Sequence, residues 1–175
     1  MDRKKKLLLH CCCAPCSSAV LERLDGYEPT LCFVNPNIDT KEEYYKRAAE
    51  LERLNALTLK APIIIPDYKP ETFTAVCKGL EREPEGGLRC RECIKLRLKA
   101  TAELAGDYDA VTTTLTVSPH KNAAMINSIG AVLTDKWLYS DFKKKDGFKR
   151  SVELSRVYGL YRQNYCGCVF SKRDE

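Results

Sequence analysis

No apolar stretch in this 175-residue chain approaches the roughly 20 residues needed to span a bilayer, so no membrane partner is expected. A secretory leader is not expected either. Asp2-Arg3-Lys4-Lys5-Lys6 precedes only the short run Leu7-Leu8-Leu9, and polar and thiol residues follow at once. Internal repeats and low-complexity linkers are also missing. The length therefore points to one domain over residues 1–175, large enough to bury a core without disulfide staples. Only two histidines are present, His10 and His120, each either a satisfied structural imidazole or a ligand or proton donor. A soluble, cytoplasmic protein is expected, in a compartment where thiols stay reduced.

What the chain does have is sulfur. Of its ten cysteines, eight fall into three tight groups: Cys11, Cys12, Cys13 and Cys16; Cys90 and Cys93; Cys166 and Cys168. Cys32 and Cys77 look scattered. Cysteines used only as small hydrophobes spread through a core, whereas thiolates that share a metal or exchange a disulfide must start close together. In a reducing compartment this grouping favours metal or catalytic use over a structural disulfide framework. Charge is uneven too. The net charge is +5, and the stretch Lys143 to Arg162, with seven basic residues against two acidic ones, carries an excess of that size. Such a stretch, within a basic helical segment of about 141–175, either neutralises nucleic-acid phosphates or forms a solvated helix face.

Apolar periodicity alternates between strand and helix. Lys6 to His10, Thr30 to Val34, Ala61 to Ile65, Asp109 to Thr113 and Lys136 to Tyr139 read as strands. Between and after them, helices are predicted from Ser17 to Leu24, from a Thr40 N-cap with Glu43 three residues on to Leu54, and over Glu71–Lys78, Ile94–Leu104, His120–Ile129 and Arg150–Tyr158. This order predicts an α/β fold with an open, mainly parallel sheet flanked by helices and an active edge at the strand carboxyl ends. The first cysteine group then lies at a strand-to-helix turn. Asn35, Asn37, Asp39, Asp67 and Asp141 fall at strand ends or in loops, where they are candidates to line a pocket.

Each cysteine group admits more than one chemistry. Cys90-Arg-Glu-Cys93 at the head of a helix has a spacing shared by iron–sulfur sites, zinc ribbons and dithiol redox centres. With Cys12 and Cys13 it offers four thiolates from two loops, and a cubane with its irons spread apart eases the divergence of adjacent side chains. Cys13-Ala-Pro-Cys16 also fits a thioredoxin-type motif at a helix amino terminus. Cys166-Gly-Cys168 fits a labile disulfide, or two more metal ligands. Two alternatives therefore stand beside an iron–sulfur enzyme. One is a dithiol oxidoreductase using Cys13 and Cys16; the other is a zinc-stabilised RNA-binding module on Cys90, Cys93, Cys166 and Cys168.

Several motifs taken together resemble one family. They are His10-Cys11-Cys12-Cys13-Ala14-Pro15-Cys16-Ser17, Asn35-Pro36-Asn37-Ile38, Gly86-Gly87-Leu88-Arg89-Cys90 to Cys93, Ser118-Pro119 with Lys121-Asn122, and Tyr161-Arg162-Gln163 through Cys166-Gly167-Cys168-Val169-Phe170-Ser171. The pattern is similar to the QueH family of epoxyqueuosine reductases over almost the whole chain. The resemblance implies reduction of the epoxide of epoxyqueuosine in tRNA to the alkene of queuosine, the last step of queuosine synthesis, with electrons from an external donor. It also implies a 4Fe-4S cluster on Cys12, Cys13, Cys90 and Cys93, a redox-active disulfide between Cys166 and Cys168, and a fold similar to the PP-loop/HUP nucleotide-binding superfamily. Cys11 departs from the family pattern, so Cys11-Cys12 offers an alternative ligand pair. No Gly-rich phosphate loop is visible, so ATP dependence is not expected. Ligands beyond the cluster, drawn from Cys16, His10 or a pocket aspartate, would suit a second metal ion such as iron that polarises the epoxide oxygen.

Overall fold

A computed structural model describes residues 3–172. Its elements run β1 (Lys5–His10), α1 (Ala14–Leu21), β2 (Tyr27–Cys32), α2 (Lys41–Leu57), β3 (Ile63–Ile64), α3 (Pro70–Cys77), α4 (Leu88–Ala102), β4 (Ala110–Thr113), α5 (Ala123–Leu133) and α6 (Gly147–Val157), with 3₁₀ turns at Thr114–Val117 and Val169–Ser171. The strands form one parallel sheet in the order β3-β2-β1-β4. β1 is central, and its Leu7, Leu8 and Leu9 are all fully buried, as a strand covered on both faces requires. His10 pairs with Cys32 on one side and Thr113 on the other, so three strands end together. That shared carboxyl edge is where an open parallel sheet leaves a crevice.

One core packs Leu7 and Leu9 of β1 against Val20 of α1 and Tyr44, Leu51 and Leu54 of α2. On the other side, Leu8, Cys32 and Val111 pack with Ala105 and Trp137, and a third cluster joins Ile94 and Leu98 of α4 to Ile126 and Ile129 of α5. Local signals start the helices where expected. Thr40 Oγ1 accepts from Glu43 N at 3.1 Å to open α2, and Asn122 Oδ1 accepts from Met125 N at 3.0 Å to open α5.

The sequence reading overstates the sheet at both edges. Ala61 to Ile65 contributes two residues to β3, and the strand expected over Lys136 to Tyr139 is a single parallel bridge between Val111 and Trp137. The Trp137 side chain explains the latter. Its Nε1 donates to Asn127 Oδ1 at 2.9 Å, and its indole lies against Gly130, where any Cβ would overlap the ring. Asn127 Oδ1 also takes the Ser140 N–H at 3.0 Å, which turns the chain away from the sheet.

The basic segment expected over about 141–175 contains α6, and some of its cations are already paired. Arg150 meets Glu22 at 2.8 Å and Glu153 at 3.2 Å, while Lys143 meets Asp141 at 3.2 Å. Residues 1–2 and 173–175, the ends of the expected domain and of this segment, lie outside the described residues. No helix among the described residues is long and apolar enough to cross a membrane.

Candidate sulfur centre

Where β1 stops, Cys11 to Cys13 turn the chain into α1, whose Pro15 in the first turn is pre-set for a helix. Cys11 faces the core, fully buried, with its thiol 3.5 Å from the Leu9 carbonyl, and burial pushes that thiol up. Cys12, Cys13 and Cys16 face the other way. Their sulfurs all lie within 4.8 Å of one another, with Cys12 and Cys13 3.9 Å apart. The divergence expected of adjacent cysteines is therefore overcome, because the turn rather than a regular strand carries them. Hydrogen bonds from Cys13 and Cys16 pull the Cys12 thiol well below its ordinary value. Donating to Cys12 pushes Cys13 up to about 12 and raises Cys16 as well. Thr114 helps, since its hydroxyl donates to Cys12 Sγ at 3.3 Å and accepts from Cys12 N at 3.0 Å. Among the three, Cys12 is therefore the first to carry negative charge.

His10 takes no part as a ligand. Its Nε2 faces the Val34 carbonyl at 2.9 Å and must donate, which leaves Nδ1 to accept from Thr113 Oγ1 at 2.8 Å. Both ring nitrogens are occupied. Burial, reinforced by Arg97, pushes its pKa down to about 4, so the ring is a neutral structural peg.

A second sulfur group forms around the start of α4. Gly87 caps that helix, Cys90 Sγ accepts from Gly86 N at 3.2 Å, and burial pushes Cys93 up to about 11. Against Cys93 pack Phe73, Cys77 and Cys168, with Cys166 partly buried beside them. Cys77 looks scattered in sequence yet joins this group, because α3 lies along α4; no local spacing announces it. Cys166 and Cys168 have their sulfurs 3.6 Å apart, and Ser171 Oγ is 2.9 Å from Cys166 Sγ. Hydrogen bonding from Cys168, with help from Ser171, pulls Cys166 down to about 4 and correspondingly raises Cys168.

The β2–α2 region holds this last loop. Arg47 Nη1 donates to the Cys166 carbonyl at 3.2 Å, Asp39 N donates to the Gly167 carbonyl at 2.8 Å, and Tyr165 OH donates to Asp39 Oδ1 at 2.8 Å. Gly167 sits at φ +117°, and a Cβ there would come within 3.0 Å of Ile38 and 3.1 Å of Arg47. Glycine is needed at that position on both counts.

The two groups line adjoining cavities. Cys12, Cys13, Cys16 and Cys166 border a cleft of about 280 Å³, and Cys90, Cys93, Cys166 and Cys168 border a smaller one of about 110 Å³. Cys166, Arg97, Glu85, His120 and Lys121 belong to both walls. Phe148, Ser151 and Arg162 bring the basic segment to the larger cleft. The structure thus pairs Cys12 with Cys13, and Cys90 with Cys93, on neighbouring walls. The one tight ligand set it forms among the described residues is Cys12, Cys13 and Cys16. The polar loop residues act elsewhere, since none of the five expected to line a pocket borders either cavity. Asn35 joins the Cys11 carbonyl to Arg97, Asn37 and Asp39 brace the Cys166 loop, Asp67 borders a groove beside α2 and α4, and Asp141 pairs with Lys143. Arg97, buried between the two groups, escaped the sequence reading because a helix arginine looks like surface until its helix is packed.

A family model described as epoxyqueuosine reductase QueH matches residues 7–174. Curated relatives carry the same description. The protein from Streptococcus pyogenes is 43% identical over 97% of this chain and 71% of its own length. That from Staphylococcus epidermidis is 43% identical over 96% and 76%, and that from Thermotoga maritima 36% identical over 94% and 89%.

Proposed function

The chain belongs to the QueH family of epoxyqueuosine reductases, and from that premise we propose that it is an iron–sulfur enzyme reducing epoxyqueuosine in tRNA to queuosine at the sulfur-lined clefts. Opening the epoxide to an alkene consumes two electrons and two protons and releases the oxygen as water. The observation that carries the reading is the position of Cys166, which borders both cavities and so links its dithiol to the other two cysteine pairs. The thioredoxin-like and zinc-module alternatives give way with the family assignment.

The donor set suits a 4Fe-4S cluster on Cys12, Cys13, Cys90 and Cys93. These are soft thiol ligands from the starts of two helices, spread over neighbouring walls, and a cubane spaces its thiolates more widely than a single ion does. When bound, such a cluster supplies electrons one at a time. Cys16 is left over beside Cys12 and Cys13 as a ligand for a second metal ion such as iron. The Cys166–Cys168 pair balances one turnover. Closing it to a disulfide joins the Cys166 thiolate to the Cys168 thiol, breaks one S–H bond and releases two electrons and one proton, and with a second proton from solvent these reach the epoxide as its oxygen leaves as water. An external electron donor then restores the dithiol.

Lys121 and Arg162 border the larger cleft and orient an anionic substrate, while the exposed Lys144, Lys145 and Lys149 extend the basic face for tRNA phosphates. The described chain acts as one α/β unit in the cytoplasm, with residues 141–172 as its tRNA-facing wall. The test is purification without oxygen, followed by iron and sulfide analysis and nucleoside analysis of tRNA carrying epoxyqueuosine. About four irons and four sulfides per chain are expected, together with queuosine formation. A colourless, fully active protein containing only zinc overturns the cluster.

A further inference from the structure

We propose that Arg97 is the fixed counter-charge of the sulfur centre, a positioning residue buried between the two cavities that sets the reduction potential of the iron–sulfur group bound there. This rests on the cofactor reading above. Arg97 stands four residues after Cys93 on α4, one turn along the same face. It is only 3% exposed, yet it borders both cavities.

A guanidinium cannot shed its charge, and burying it without an anion is costly. The other two buried arginines are provided for. Arg47 pairs with Glu43 at 2.6 Å, and Arg89 donates to the carbonyls of the Leu80–Glu83 turn while stacking on Phe170. Arg97 has no carboxylate within ion-pair distance among the described residues. Its one oxygen acceptor among the described residues is the Asn35 amide oxygen at 2.6 Å, and its buried Nε has no hydrogen-bond partner. Asn35 is anchored in turn on the Cys11 carbonyl at 2.9 Å, so the contact aims the guanidinium without neutralising it.

The negative charge that answers this cation is therefore that of sulfur. Cys12 borders the larger cavity and Cys93 the smaller, and Arg97 borders both. A thiolate-bound iron–sulfur group is net anionic and becomes more so on reduction. A fixed cation beside it favours the reduced form and raises the potential.

The experiment compares wild type with Arg97→Met, which keeps bulk and loses charge, and Arg97→Lys, which keeps charge. Each is reconstituted without oxygen and titrated electrochemically while visible absorption and EPR are followed; melting is recorded for the metal-free and loaded forms. The midpoint of Arg97→Met should shift negative while Arg97→Lys stays near wild type. Metal-free Arg97→Met should melt at or above the wild-type temperature, since an uncompensated charge has been removed. An unchanged Arg97→Met midpoint overturns the proposal. If that variant takes up no iron, its metal-free melting decides: a temperature below wild type makes Arg97 an ordinary structural peg on Asn35. A wild type that itself takes up no iron sinks the cofactor reading instead, which keeps the two failures apart.

Discussion

The Cys12–Cys13–Cys16 turn is built by the sheet: it leaves the central strand, backs onto a buried core and enters a helix at once. The Cys166–Gly167–Cys168 loop lies far along the chain, has no strand beneath it and hangs on hydrogen bonds from Arg47, Asp39 and Asn37. Ligands of a permanent cofactor belong on a backbone that does not move, whereas a pair that opens and closes a disulfide each cycle needs latitude. On the proposed assignment the sulfur divides along that line, with seats at the sheet edge and a tethered loop opposite.

The largest test of this division exchanges sulfur for oxygen on each side. Cys12→Ser or Cys13→Ser should abolish both the iron chromophore and queuosine formation. The double variant Cys166→Ser/Cys168→Ser should keep the chromophore and lose turnover in assays driven by the external donor. Visible spectra recorded beside the tRNA assay read both, and a double variant without iron would make the loop a ligand and erase the distinction.

A smaller effect comes from the tether itself. Gly167→Ala combines a left-handed φ with a Cβ pressed against Ile38 and Arg47, and should cost about 1–3 kcal/mol. Thermal or urea unfolding measures that loss. Because the strain is confined to the loop, iron content should hold while turnover falls.

The smallest effect is a matter of pH. In the reduced protein the Cys166 thiol lies near 4 rather than 9.0, so its thiolate persists through neutrality and is lost only as pH falls through about 4. The linked stabilisation of the loop has the same sign: it is complete above the ordinary thiol range and fades as pH drops. Above that range the raised Cys168 works against it. Alkylation of Cys166, followed by peptide mass spectrometry, should be nearly flat from about pH 5 to 8. A tenfold rise per pH unit over that interval would show an ordinary thiol.

Much of this was legible because it is local. A continuous apolar run gave β1, Thr40 announced α2, and the cysteine spacing placed one group on a strand-to-helix turn and another at the head of α4. What stayed hidden depends on partners distant in the chain. Trp137 reads as strand until Asn127 captures its indole, Cys77 reads as isolated until α3 lies along α4, and the loop asparagines read as pocket lining although they serve as braces. His10 sits beside four cysteines and looks like a ligand. Only the carbonyl of Val34, just beyond β2, and the hydroxyl of Thr113 at the end of β4 show that both its nitrogens are occupied.

The bond from Tyr165 to Asp39 spans 126 residues of chain. During synthesis from the amino terminus, that latch cannot close until residue 165 has left the ribosome, long after Cys12, Cys13, Cys90 and Cys93 have emerged. On the proposed cluster assignment, the seats on Cys12, Cys13, Cys90 and Cys93 stand uncovered for that interval, and the order of translation leaves a loading door ajar until Tyr165 arrives to swing it shut.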